Sequence, residues 1–147
     1  MPEWALVMCC MTEPEAVCIY RQQRINDTVQ LPCLNVKIME LTAIPFGITD
    51  WSTVEPIAHP GEAGTAYWRT CHFGGIRVRM VEYTPGYLAD HWCHKGHVLL
   101  CMEGQLDTEL DDGRTFTLRA GMSYQVADNA EAHRSSTLVG AKLFIVD

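Results

Sequence analysis

The sequence predicts an all-β domain, a sandwich or barrel of short antiparallel strands, and three observations predict it. Segments of roughly five to eight residues, rich in β-formers, recur at short spacing with Gly, Pro, Asp and Asn between them, the pattern of sandwiches and barrels. No stretch keeps the 3.6-residue apolar period of an amphipathic helix. The chain has 147 residues, 48% hydrophobic and 20% charged, the size and balance of one globular core.

Taken in order, Asp50-Trp51-Ser52 can open a single turn of helix that Pro56 ends. Ile76 to Tyr83 alternates at its start and is stopped by Thr84-Pro85-Gly86. A strand is expected over about 89–94, with a tight turn at Lys95-Gly96. His97 to Met102 follows and ends at Glu103-Gly104; Gln105 to Leu110 is the next strand. Asp111-Asp112-Gly113 is a hairpin signal, since Asp and Gly accept the positive φ such turns need. Arg114 to Leu118 returns, Ala120-Gly121 turns, and Ser123 to Ala127 and Ala141 to Val146 complete the set. The domain is expected to span 39–147. Residues 1–38 carry four of the seven cysteines and no clear period, so they read either as an upstream extension before a natural start at Met39-Glu40-Leu41 or as an extra arm packed on a neighbour.

Charge excludes some partners. Eighteen acidic and 11 basic side chains leave a formal charge of −7 with no Lys/Arg cluster, so nucleic acid and anionic membrane surfaces are not expected partners. No apolar run approaches the ~20 residues of a membrane span. The first residues lack a basic start, and Glu13 and Glu15 interrupt the apolar stretch. A cytoplasmic location with reduced thiols is therefore the expectation.

The chemistry concentrates in Asp90-His91-Trp92-Cys93-His94-Lys95-Gly96-His97. On a strand, His91 and Cys93 share a face. A hairpin at Lys95-Gly96 would turn His97 back toward them, while His94 falls on the other face or in the turn. Two imidazoles and a thiol converging on one point suit a divalent metal, because both are preferred ligands of zinc and the later first-row metals. The plainer reading is a surface histidine and a small buried cysteine. Cys71-His72 looks like a ligand pair, but strand neighbours face opposite ways, and we read it as chance.

These residues resemble the first motif of the cupin superfamily. Pro85-Gly86 opens it, His91-x-Cys93 takes the place of the paired histidines, His97 stands where glutamate is usual, and Gly104 closes it. Gly113, Arg119-Ala120-Gly121 and His133 fill the second motif. The match covers roughly 39–147 and looks closest to a group of short cupins named for an Asp-His-Cys-Trp motif, although the order here is Asp90-His91-Trp92-Cys93. The resemblance implies a cupin-type double-stranded β-helix, a jelly-roll barrel with a metal in its wide end. It implies the ligand set His91, Cys93, His97 and His133, and a homodimer formed by edge-strand pairing. Cysteine for the second histidine and histidine for glutamate both depart from the family pattern, yet both keep a metal ligand type.

Softness favours zinc, iron, nickel or copper over magnesium or calcium. Four ligands bound tetrahedrally would close the site; with Cys93 set back, His91, His97 and His133 would leave open positions. Without the usual glutamate a proton shuttle must come from elsewhere, from Tyr83, Glu103, Tyr124 or Asp90, each with a structural role as the plainer reading. Trp51, Trp68 and Phe144 read as packing residues, Trp92 as packing on the second sheet or a partner, and Arg134-Ser135-Ser136 as a solvated strand start in preference to an anion contact. Two functions follow: a metal-dependent oxygenase or isomerase acting on a small polar metabolite, or a non-catalytic cupin that binds a small-molecule ligand or metal as a sensor or accessory.

Overall fold

The computed structural model describes Leu41 and residues 44–147; the expected extension at 1–38 and its boundary lie outside the described residues. After one 3₁₀ turn at Trp51–Thr53, capped by the Asp50 carboxylate accepting from the Ser52 amide at 2.9 Å, eight strands follow. They are β1 (Ile57–Pro60), β2 (Thr65–Phe73), β3 (Ile76–Tyr83), β4 (His97–Leu110), β5 (Thr115–Arg119), β6 (Ser123–Val126), β7 (His133–Ser136) and β8 (Ala141–Val146). All pairings are antiparallel, so the all-β expectation holds. No helix among the described residues is long and apolar enough to cross a membrane.

One sheet runs β1-β2-β3-β8-β4, with β6 on the other side of β4. The second sheet places β5 and β7 on the two flanks of the same β4. The core lies between the sheets and is made of alternate residues: Ala66 on β2, Val81 and Tyr83 on β3, Leu143 and Ile145 on β8, Leu99, Cys101 and Leu106 on β4, and Leu118 on β5. Such two-residue alternation is what a half-buried strand requires.

Strand β4 corrects the sequence reading. Glu103-Gly104 reads as a break between two strands, but His97–Leu110 is one strand with a bulge between Cys101 and Glu103. Gly104 has φ +75°, and a Cβ there would meet the Gly140 carbonyl oxygen at 2.0 Å. Glycine is therefore the residue that lets the strand kink at this crossing of two chains. The kink closes the molecule. Laid straight, His97 and Leu110 would lie about 40 Å apart at ~3.3 Å per residue. Leu110 pairs with His133, yet the rings of His97 and His133 are 4.8 Å apart between centroids. The strand doubles over, and its two ends face each other from opposite sheets.

The strand expected over 89–94 and its hairpin are also corrected. That segment meets β7 through the isolated pairs Leu88–Ser136 and Cys93–His133, with the Ala89 amide donating to the Ser135 carbonyl between them. Five steps along one chain oppose three along the other, so residues 90–92 bulge outward. The chain runs on into β4 with no turn at Lys95-Gly96; instead the Gly96 amide donates to the Asp128 carboxylate at 2.7 Å.

Candidate metal centre

Cys93 and His133 exchange two backbone hydrogen bonds of 2.8 and 3.0 Å, which places their side chains on one face of an antiparallel pair. His97 heads β4, one residue past the Val98–Val146 pair, and enters from the opposite sheet. The Cys93 sulfur and one ring nitrogen of each histidine all lie within 4.8 Å of one another, and both histidines are buried.

Of the four residues expected at this point, the structure brings together Cys93, His97 and His133. His91 stands outside the group. It sits in the outward bulge with its side chain 67% exposed and its Nδ1 2.5 Å from the Asp90 carboxylate. Strand alternation would have turned His91 inward beside Cys93, but the two surplus residues break that alternation. His94 is exposed, and its carbonyl accepts from the Asn129 amide.

The donor set fits a metal. His133 Nδ1 lies 3.0 Å from the Glu131 carbonyl. A carbonyl only accepts, so Nδ1 carries the proton and Nε2 offers a bare lone pair. That Nε2 is buried and has no hydrogen-bond partner other than the Cys93 thiol beside it, and His97 Nδ1 is buried with no hydrogen bond of ordinary geometry. Ring nitrogens so poorly satisfied cost free energy unless something occupies the space they face. Zinc bonds of ~2.0–2.3 Å put neighbouring tetrahedral ligands about 3.3–3.8 Å apart, so a modest inward movement of side chains suffices.

Electrostatics prepares the ligands. Burial, with His133 and Arg79 adding to it, pushes His97 down to about 4, which keeps its ring neutral at physiological pH. His133 beside it holds the Cys93 thiol below its ordinary value, against the opposing effect of burial. Burial pulls His133 down, but Cys93 and the Glu131 carbonyl outweigh it and leave the imidazole raised. A thiol biased toward thiolate is the form that ligates.

The four proton-shuttle candidates separate. Tyr124 points its hydroxyl at His97 Nε2, 2.8 Å away, and burial pushes its ionisation up, so it stays a neutral phenol. Tyr83 is buried and stacked on Tyr87 at 4.1 Å. Glu103 pairs with Lys142 at the surface, and Asp90 with His91. Arg134 is tied down as well, its Nε donating to the Ala89 carbonyl at 2.8 Å and its guanidinium pairing with Glu62. It braces the bulge and is committed there. Trp51 packs edge-on against Phe144, while Trp92 is 37% exposed beside the site.

Sequence reasoning missed one part of the surroundings. Arg77, Arg79 and Asp147 form an ion-pair group inside the barrel end: Arg77 Nε donates to Asp147 at 2.7 Å, and the Arg79 guanidinium donates to its other oxygen. Continuing the Val98–Val146 register by one residue places Asp147 opposite His97. Arg77 and Arg79, two apart on β3, were the available signal, and which phase faces inward is not written in the alternation.

No family model matches this sequence, and no curated protein matches it. Solved structures do. A predicted oxalate decarboxylase from Thermotoga maritima superposes with a TM-score of 0.59 at 12% identity, over 68% of this chain and 96% of that one. Ectoine synthase from P. lautus gives 0.57 at 17% identity, over 69% and 76%. An RmlC-like cupin from Shewanella frigidimarina gives 0.55 at 17%, over 70% and 90%. At these identities the likeness is one of fold.

Proposed function

We propose that this chain, which has the cupin jelly-roll fold, binds one divalent transition metal through Cys93, His97 and His133 and presents it to a small polar ligand. The observation that carries the proposal is the convergence of three soft donors whose two buried imidazoles each keep one nitrogen without a hydrogen bond of ordinary geometry outside the group. Zinc, iron, nickel and copper are the metals this donor set favours. Three protein ligands leave at least one coordination position open, the arrangement of catalytic and not of structural sites. A thiolate and two neutral rings would leave one net positive charge on a divalent ion. Such an ion supplies Lewis acidity, or oxygen chemistry when it is iron.

The protein's own residues do the rest. Tyr124 orients His97 through its hydroxyl, and the Glu131 carbonyl fixes the His133 tautomer. With glutamate absent from the site, Tyr124 is the group placed to donate or hold a proton beside the ligands. We propose an oxygenase or isomerase acting on a small metabolite; a metal- or ligand-binding accessory protein is the alternative within the same site. Kinship with the Asp-His-Cys-Trp group belongs to this proposal, as do cytoplasmic location and a homodimer.

Elemental analysis of anaerobically purified protein tests the first step: close to one equivalent of transition metal is expected. Protein that stays metal-free after equilibration with zinc and ferrous iron in turn would contradict it. Oxygen consumption by the iron-loaded protein with thiol and diketone substrates then separates an oxygenase from the other two readings.

A further inference from the structure

Strands β5 and β6 share one tight turn but belong to different sheets. The Met122 amide closes that turn on the Arg119 carbonyl at 3.0 Å, and the Gly121 amide pins it to the Cys101 carbonyl at 2.8 Å. From there β5 pairs with residues 105–109 of β4, and β6 pairs with residues 97–100. Since β4 doubles over between those halves, β5 and β6 part with distance from the turn, and the barrel wall opens between them.

Exposure along β5 follows that divergence. Leu118 pairs with Leu106 and Phe116 with Thr108. Leu106 and Thr108 are buried on the inner face of β4, so Leu118 and Phe116 face inward as well. Leu118, beside the turn, is 4% exposed, whereas Phe116, two residues farther out, is 43% exposed. An inward-facing phenylalanine left this bare marks the place where solvent reaches the interior from the side. The opening leads to the metal centre. Thr108 also pairs with Ser135 of β7, and Leu110, the next inward residue of β4, pairs with His133. Phe116, Thr108, Leu110 and His133 therefore tile one inner surface. Two strand spacings of ~4.8 Å and two residues of ~3.4 Å put the Cα atoms of Phe116 and His133 about 12 Å apart on it. Tyr124, on β6, stands on the other side of the opening, with its ring 5.9 Å from that of His133. Thr108 adds a hydroxyl that is buried without a hydrogen-bond partner among the described residues.

We infer that the opening between β5 and β6 admits the ligand of the metal centre, and that Phe116 selects one carrying an apolar, ring-sized substituent. The inference rests on the metal reading proposed above and names its ligand class. That class is a small molecule with a chelating oxygen head at Cys93, His97 and His133 and an aromatic or branched aliphatic group against Phe116. The head satisfies the open coordination positions, and the substituent covers the bare ring. Apolar burial and ring contact then favour the substituted ligand over one that is all head.

The test titrates zinc-loaded protein by calorimetry with acetohydroxamate and benzohydroxamate, two probes that share one chelating head and differ in the ring. Wild type is expected to prefer benzohydroxamate about tenfold. Phe116→Ala is expected to cut that preference to about twofold with zinc content unchanged, and Phe116→Leu to leave an intermediate value. The leucine variant keeps an apolar side chain and carries the comparison should the alanine variant not fold. Equal affinity for the two probes in wild type, or a preference that survives in both variants, would overturn the inference while the metal reading stands. A change of molar mass in Phe116→Ala with the preference intact would assign the ring to contact with a second copy of the chain and overturn it as well. Protein that takes up no zinc would overturn the metal reading and, with it, the inference.

Discussion

Substituting alanine for His133 or for Cys93 is expected to weaken zinc binding at least about 100-fold, because loss of a mere supporting contact to a ligand already costs roughly 10- to 100-fold. His91→Ala is expected to leave affinity within about twofold of wild type, since that side chain is solvent-exposed and paired with Asp90. The contrast is informative because all three residues belong to the set that the sequence resemblance implies, while only two of them sit in the cluster with His97. Competition against a chromophoric chelator reads the affinities directly. The account fails if His91→Ala loses metal as His133→Ala does.

The second large effect concerns stability. Asp147→Ala is expected to destabilise the domain by about 3 kcal/mol, the low end for breaking a buried ion pair and stranding its partner. Arg79 would be left buried with an uncompensated charge, whereas Arg77, at 36% side-chain exposure, can turn to solvent. The acid limb has a definite sign. Burial pushes the Asp147 carboxyl up, but the two guanidiniums outweigh it and hold the group below its ordinary value. A carboxyl depressed in the folded state contributes stability above its unfolded value, near 3.9, and loses that contribution as pH falls through the folded value. Wild type should therefore lose more Tm than Asp147→Asn between about pH 5 and pH 2. Parallel acid limbs in the two proteins would show that the ion pair adds nothing.

Much of the framework was legible because local chemistry and global fold agree there. Ile76–Tyr83 alternates and is a strand; Asp111-Asp112-Gly113 turns, with Gly113 at φ +87°; Asp50 caps a single turn. Strand β1 (Ile57–Pro60) was not read at all, and three further elements were hidden. The long β4 reads as two strands because Glu103-Gly104 carries a break signal at what is a kink, set by the close approach of Gly140. Strands β2 and β7 are rich in polar residues: Arg69, Thr70 and His72 dilute the first, and His133, Arg134, Ser135 and Ser136 form the second. Polar residues occupy both phases of these strands, so period-two reasoning finds no apolar face to read.

The site divides the same way. Cys93 and His97 were readable from residue type and proximity in sequence, although the hairpin invoked to join them is absent. His133 came from family resemblance alone, because its pairing with Cys93 spans forty positions and no local pattern encodes that. The departure of His91 depends on a mismatch of two residues between paired segments, a property of both chains together. Arg79 and Asp147 were invisible for a related reason. A charged residue on a strand is ordinarily an outward one, and the partner that brings this one inside lies 68 residues away.

X-ray absorption spectroscopy of the zinc-loaded protein tests the central claim most directly. One sulfur near 2.3 Å and two imidazole nitrogens near 2.0–2.1 Å, with any remaining position filled by a light-atom ligand, is the predicted first shell. A shell with no sulfur, or with a third imidazole that disappears in His91→Ala, would contradict it.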